Sequence, residues 1–193
     1  MTKSLRIIVA DDEPLLVEGL SVYLEDLGHC VVATAATGSE LVERSLEIQP
    51  DLVITDIKMP DMDGLEAVKK ICNSYRVPVV IVSAYHDEEF IRRASEQCIM
   101  SYLVKPIDEQ TLKASLSMAM RRFAEFQALM VENENLKQTL ENRKIIERAK
   151  GILMQRSSLS EQDAFTRLQD LASTKHQKMI EIARMIIEAD QAF

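Results

Sequence analysis

At 193 residues, 47% hydrophobic and 28% charged, the chain is long and apolar enough for one full core plus a smaller unit, which argues against disorder. No apolar run nears the roughly 18 residues of a membrane span, and the first one, residues 5–10, is too short for a signal peptide. The net charge of −8 is uneven: residues 1–106 carry 10 basic against 18 acidic side chains, residues 107–193 carry 13 of each, and residues 142–184 carry 9 basic against 5 acidic.

In chain order, residues 5–10, 31–34, 52–55, 79–82 and 102–104 are short β-branched, apolar runs of the kind that form buried parallel strands. Segments near 14–27, 38–48, 62–74 and 87–97 alternate with them at helical spacing, as in Leu16, Leu20 and Leu24. Five β-α repeats joined by short loops predict a parallel sheet with helices on both faces. Cys30, Cys72 and Cys98 are widely spaced with no CxxC pair. They indicate neither a disulfide framework nor a zinc site, and read as small core residues in a reducing cytosol.

After Pro106 only Gly151 interrupts the chain, so an all-helical part is expected. Leu112, Leu116, Ala119, Phe123 and Phe126 continue a helix out of the first domain. Phe126, Asn133 and Leu140 then fall at heptad position a, with Leu129 and Leu136 at d: a two-heptad seam carrying one polar a position. Ser160 with Asp163 resembles a capping box before Ala164, Leu168, Leu171 and Ala172, and Phe165 is assigned to the core with them. Met179, Ile182, Ala183, Ile186 and Ile187 form the stripe of a last helix.

The residues that follow the predicted strands carry the chemistry. Asp11 and Asp12 follow the first, Asp56 the third, Ser83 the fourth and Lys105 the fifth. In doubly wound sheets ligands bind beyond these C-terminal strand ends. An acid pair before Pro14 equally suits a helix N-terminus, and taken singly the acids decide nothing. Crowded on one rim, however, they raise each other's pKa unless a cation joins them. Mg²⁺ suits such a set, and beside it a carboxylate can attack phosphorus. Ser83 can donate to a phosphoryl oxygen and Lys105 can pair with another.

The stretches "VADDE", "DIKMPDMDGLE", "VPVVIVSA" and "YLVKP" make residues 1–122 resemble the receiver domain of two-component response regulators. The resemblance implies a flavodoxin-like α/β sheet in order 2-1-3-4-5. It implies Asp56 as phospho-acceptor, with Mg²⁺ held by Asp11, Asp12, Asp56 and the backbone carbonyl of Lys58. Ser83 and Lys105 would sense the phosphoryl group, Lys105–Pro106 would be a cis peptide, and Tyr102 would be the aromatic that turns inward when Ser83 moves. A sensor histidine kinase is the implied phosphodonor, in the cytoplasm. At 98–101 the chain reads "CIMS" where the family usually has a Gly-Ala pair, a departure that bears on the shape of that loop. Phosphatases of the haloacid dehalogenase type also use an Asp nucleophile with Mg²⁺, but carry a second acid two positions on, where this chain has Lys58. The phosphoryl group is therefore expected to be stored, and the chain to be a switch and not an enzyme.

Residues 142–193, with "IERAKGILM" and "SEQDAF", resemble the ANTAR domain, a three-helix module that binds RNA hairpins in nascent transcripts and prevents termination. Residues 123–141 are read as a helical linker or coiled coil that makes an active homodimer. Arg143, Lys144, Arg148 and Lys150 around Gly151, with Arg167, are the candidate RNA contacts; Arg156, Lys175, Lys178 and Arg184 add charge. The same residues suit a merely solvated face, and a DNA-binding or protein-docking output remains the alternative.

Overall fold

The computed structural model describes residues 4–84 and 98–191. Strands β1 (Arg6–Ala10), β2 (Cys30–Ala35), β3 (Leu52–Asp56), β4 (Val79–Ser83) and β5 (Ile99–Val104) form one parallel sheet in the order β2-β1-β3-β4-β5. Helices α1 (Pro14–Asp26), α2 (Gly38–Ile48) and α3 (Gly64–Ser74) connect the first four strands. The expected helix near 87–97 lies outside the described residues. Three more helices follow: α4 (Glu109–Ser157), α5 (Glu161–Lys175) and α6 (Met179–Gln191).

Two-residue alternation along each strand sorts the side chains into two cores. Ile7, Val9, Leu52, Ile54, Val80 and Val82 face Leu20 and Leu24 of α1 and Leu112 and Leu116 of α4. Ile8, Val53, Val79 and Ile81 face Leu41 of α2 and Val68 and Ile71 of α3. Both faces are covered, which explains why the strands read as continuous apolar runs instead of alternating ones.

Local signals set the helix starts. Pro14 opens α1; Thr37 accepts from Glu40 N at 3.2 Å to cap α2, and Asp63 accepts from Glu66 N at 2.7 Å to cap α3. Asp108 starts α4 by accepting from both the backbone N and the hydroxyl of Thr111, each at 2.8 Å. β5 begins three residues before its predicted start. Met100 is buried and joins the strand, so the "CIMS" departure lengthens β5 instead of forming loop.

Two compact units emerge, residues 1–127 and 128–193, and α4 contributes to both. Helix α4 runs continuously through residues 122 and 141. The reason is compositional: nothing between 109 and 150 is a helix breaker. In the second unit, Ala149 of α4, Leu168 and Ala172 of α5, and Ile182 and Ala183 of α6 form a small core, with Ile145 and Ile187 packed against it. Ser160 caps α5, with Asp163 N donating to Ser160 Oγ at 3.2 Å, but Asp163 Oδ2 accepts from the Ser160 hydroxyl at 2.6 Å and not from its backbone N–H as in a full capping box.

Two assignments change. Phe165 is not core: it is 42% exposed, because the buried stripe of α5 runs through Ala164, Leu168 and Ala172 and leaves Phe165 about 100° off that line. Cys72 of α3 and Cys98 before β5 are joined Sγ to Sγ, with Cα atoms 6.5 Å apart, while Cys30 is exposed. A 26-residue separation without a motif held no pairing signal.

Tyr75, just past α3, donates its hydroxyl to Ser45 O at 2.9 Å. Burial pushes its pKa up to about 12, against 10.0 ordinarily. The folded state therefore keeps a proton that the unfolded chain loses first, and stability falls as pH rises from 10 toward 12. A Tyr75→Phe variant should show a flatter loss of stability across that window in denaturant titrations; an unchanged pH slope would contradict the linkage.

Candidate functional site

Sheet register builds the site. β1 pairs Ala10 with Thr55 of β3, so Asp11 and Asp56 emerge side by side; β4 pairs Ser83 with Val104 of β5, so Lys105 emerges beside Ser83. Lys105 N donates to Ser83 O at 2.9 Å, and the Lys105–Pro106 peptide is cis.

Asp56 is buried, and each of its carboxylate oxygens is engaged: Oδ1 accepts from Ile57 N at 2.6 Å and Oδ2 from Lys105 Nζ at 3.1 Å. Asp11, also buried, accepts from Glu13 N at 2.9 Å through Oδ1. Its Oδ2 lies 3.0 Å from Lys105 Nζ, an ion pair off the hydrogen-bonding angle, and is a buried oxygen without a hydrogen-bond donor among the described residues. Carboxylate oxygens of Asp11, Asp12 and Asp56 all lie within 4.8 Å of one another, with Asp12 exposed to solvent. Three acids this close, one with an unfilled buried lone pair, fit a hard divalent cation entering from the Asp12 side.

Charge on the rim is tightly coupled. Burial raises the Asp11 pKa, opposed by the Glu13 N–H bond and by Lys105, and the Asp56 charge raises it further. Burial alone would lower the pKa of Lys105, but its contacts with Asp11, Asp56 and Glu13 outweigh it and hold the ammonium above its ordinary value. Glu13 Oε1 accepts from Lys105 at 3.1 Å. Its part in the site was missed, since the third acid of "VADDE" carries no spacing signal of its own.

The loop after β3 is held from three sides. Gly64 N donates to Ile57 O at 2.7 Å, and a Cβ at Gly64 would collide with the Asp56 carbonyl oxygen. A Cβ at Gly38 would likewise strike the Met62 carbonyl oxygen. Asp61, at φ +65°, bonds the Ser39 hydroxyl and the first amides of α2, which hold its carboxyl below the usual range. Lys58 is exposed in this loop, at the same rim. Ser83 is buried at the end of β4. Tyr102 on β5 is half-buried against the α2–α3 core, with its hydroxyl buried and lacking a partner among the described residues. Burial raises its pKa.

The candidate RNA residues separate. Lys150 is buried between Glu147 and Glu161, at 2.7 Å from each, and so ties α4 to the first turn of α5. Those two carboxylates raise its pKa. Arg167 lines a concavity with Asp163 and Asp170. Lys144, paired with Glu141 at 2.7 Å, and Arg148 instead line a hollow of about 330 Å³ with Arg184 of α6. Arg143 is exposed, and Gly151 is half-buried with open space where a Cβ would stand.

Residues 7–117 match the response regulator receiver domain, and residues 134–187 match the ANTAR domain. The chain is 36% identical over 183 residues to the transcriptional regulatory protein PdtaR of Mycobacterium tuberculosis, an overlap of 95% of this chain and 89% of that one. Among solved structures it is similar to the PhyR receiver domain of Erythrobacter litoralis, with 30% identity, a TM-score of 0.55, and 61% of this chain and 90% of that one covered. A receiver domain of a modulated diguanylate cyclase from Desulfovibrio desulfuricans G20 gives 26% identity and a TM-score of 0.59, over 64% of this chain and 99% of that one.

Proposed function

Because the chain belongs to the response regulator family, with a receiver domain followed by an ANTAR domain, we propose that phosphorylation of Asp56 switches RNA binding and hence transcription antitermination. The carrying observation is the rim itself: one buried carboxylate between a lysine and two further acids, at the strand ends of the sheet. The relative's description as a transcriptional regulatory protein agrees with an output at the transcript.

A carboxylate oxygen of Asp56 attacks the phosphorus of a phosphohistidine on a sensor kinase. The P–N bond breaks, its electron pair leaves with the imidazole, which takes up a proton, and Asp56 becomes an acyl phosphate. Asp11, Asp12 and Asp56, with the Lys58 carbonyl, would hold Mg²⁺, which when bound offsets the charge of the phosphoryl oxygens. Lys105, already within 3.1 Å of Asp56, pairs with one phosphoryl oxygen, and Ser83 donates its hydroxyl to another. Tyr102 follows Ser83 inward and changes the surface beside β5. The phosphoryl group is stored and not turned over for its own sake, since Lys58 stands where a phosphatase of this chemistry needs its second acid. No helix among the described residues is long and apolar enough to cross a membrane; a kinase donor and a nascent transcript as target would have the chain work in the cytoplasm.

Dimerisation conveys the switch. Leu129, Leu136 and Leu140 are 63%, 58% and 59% exposed along α4, an apolar seam with no partner in its own chain among the described residues. Two heptads are marginal alone, so a coupling of about 1–3 kcal/mol from the receiver suffices to shift the population. Sedimentation of the full chain with acetyl phosphate and Mg²⁺ should show a dimer that Leu136→Lys abolishes; a phosphorylated chain that stays monomeric would contradict this. Selection of hairpins from a randomised-loop RNA pool, with duplex DNA as competitor, tests the output.

A further inference from the structure

We propose that the hollow between α4 and α6 is the phosphodiester seat of the RNA interface, with Arg148 and Arg184 as its anion contacts and Gly151 as the point of closest backbone approach. This rests on the RNA-binding reading above and assigns the residues that perform it.

The hollow is lined by Lys144, Ile145, Arg148, Arg184, Ile187 and Glu188. Part of its lining is apolar, because Ile145 and Ile187 pack against the small core of the second unit. Its rim carries three cations from two helices against one carboxylate. Lys144 is already paired with Glu141, but Arg148 and Arg184 have no ion pair or hydrogen bond with any described residue. The contrast within the unit is informative: Lys150 is paired twice and Arg156 is paired with Asp190 at 2.6 Å. Two guanidiniums that the fold brings to one hollow repel each other, and an incoming anion relieves that repulsion. A guanidinium also presents the forked donors that match phosphate oxygens.

Gly151 supplies the second observation. It lies inside a 49-residue helix, where glycine is the least favourable residue after proline. No neighbour among the described residues demands it, since a Cβ there would meet nothing within 4 Å. The bare backbone there is open to a partner outside the chain. Lys144, Arg148 and Gly151 are spaced four and three apart, so the glycine continues the basic stripe by one turn. Charge selects the occupant. A second copy meeting this face about a two-fold axis would set arginine against arginine, whereas a polyanion backbone meets the cations and can lie against the bare helix at Gly151.

The test uses the full chain with Mg²⁺ and acetyl phosphate, and a hairpin that the wild type enriches from a randomised-loop RNA pool. Arg148→Gln with Arg184→Gln should weaken binding roughly tenfold per arginine and reduce the slope of log affinity against log salt by about 1 to 2. Gly151→Ala should raise the thermal midpoint, because alanine is the better helix former, yet weaken the hairpin complex at least about tenfold. Unchanged Asp56 labelling and helical circular dichroism show that each variant is folded. If both variants bind the hairpin like wild type, this seat is wrong while RNA binding stands. If Gly151→Ala alters the sedimenting mass and not the RNA affinity, the glycine serves a chain–chain contact and the proposal is overturned. If the wild type enriches no hairpin over duplex DNA, the functional reading fails and the seat with it.

Discussion

An Asp56→Asn variant is expected to take no label from acetyl phosphate and Mg²⁺, while folding as the wild type does. The structure gives reasons for both halves. Asparagine keeps an oxygen for Ile57 N, now at 2.6 Å, but lacks the anionic oxygen that attacks phosphorus. Lys105 keeps Asp11 and Glu13 as partners, at 3.0 and 3.1 Å, so its charge is not stranded. Removal of one negative neighbour also lets the Asp11 carboxyl fall back toward its ordinary range, since the Asp56 charge is among the causes that raise it. Crowding is relieved, and the thermal midpoint should hold or rise. Intact mass spectrometry after labelling, beside a thermal melt, reads both. A variant labelled as fully as wild type would move the acceptor elsewhere.

The second large effect is expected at a residue with no functional group. Gly64→Ala places a methyl against the Asp56 carbonyl oxygen, at a distance that no rotamer change relieves because both atoms are fixed by backbone. Either β3 or the start of α3 must move. Overpacking of this kind costs about 1–3 kcal/mol, and the displaced backbone is the one that carries Asp56 and, two residues on, the Lys58 carbonyl. The variant should lose that much stability in urea titration and label at least about tenfold more slowly, which is what a shift of about an ångström in a positioned nucleophile commonly does. Wild-type stability together with a wild-type labelling rate would show that the loop yields freely.

The receiver half was legible because each site residue directly follows an apolar, β-branched run, and a parallel sheet gathers such residues on one rim. Asp11, Asp12, Asp56, Ser83 and Lys105 needed no knowledge of register to be grouped. Glu13 was not visible as a partner of Lys105, because a third acid in a row reads equally as helix N-terminal charge. The α-helical half was less legible. Basic residues along one helix give no sign of which are spent inside the chain. Lys150 turned out to be held by Glu147 and by Glu161, the second of which lies 11 residues on across a turn. Arg184 joined Lys144 and Arg148 only because α6 folds back beside α4, a tertiary event without a local motif. Phe165 misled for a related reason. In a module whose core is as small as Ala149, Leu168, Ala172, Ile182 and Ala183, an aromatic one position off the buried stripe has nowhere to go but outward.

The chain is held to be a switch in which a phosphoryl group on Asp56 governs what the ANTAR module binds. The most direct measurement is hairpin affinity of the full chain, titrated with Mg²⁺ alone and then with Mg²⁺ and acetyl phosphate, beside Asp56→Asn under both conditions. The account predicts tightening on phosphorylation by roughly 5- to 150-fold in the wild type, the range of ordinary site-to-site coupling, and none in the variant. Equal affinity of the phosphorylated and unphosphorylated wild type would contradict it.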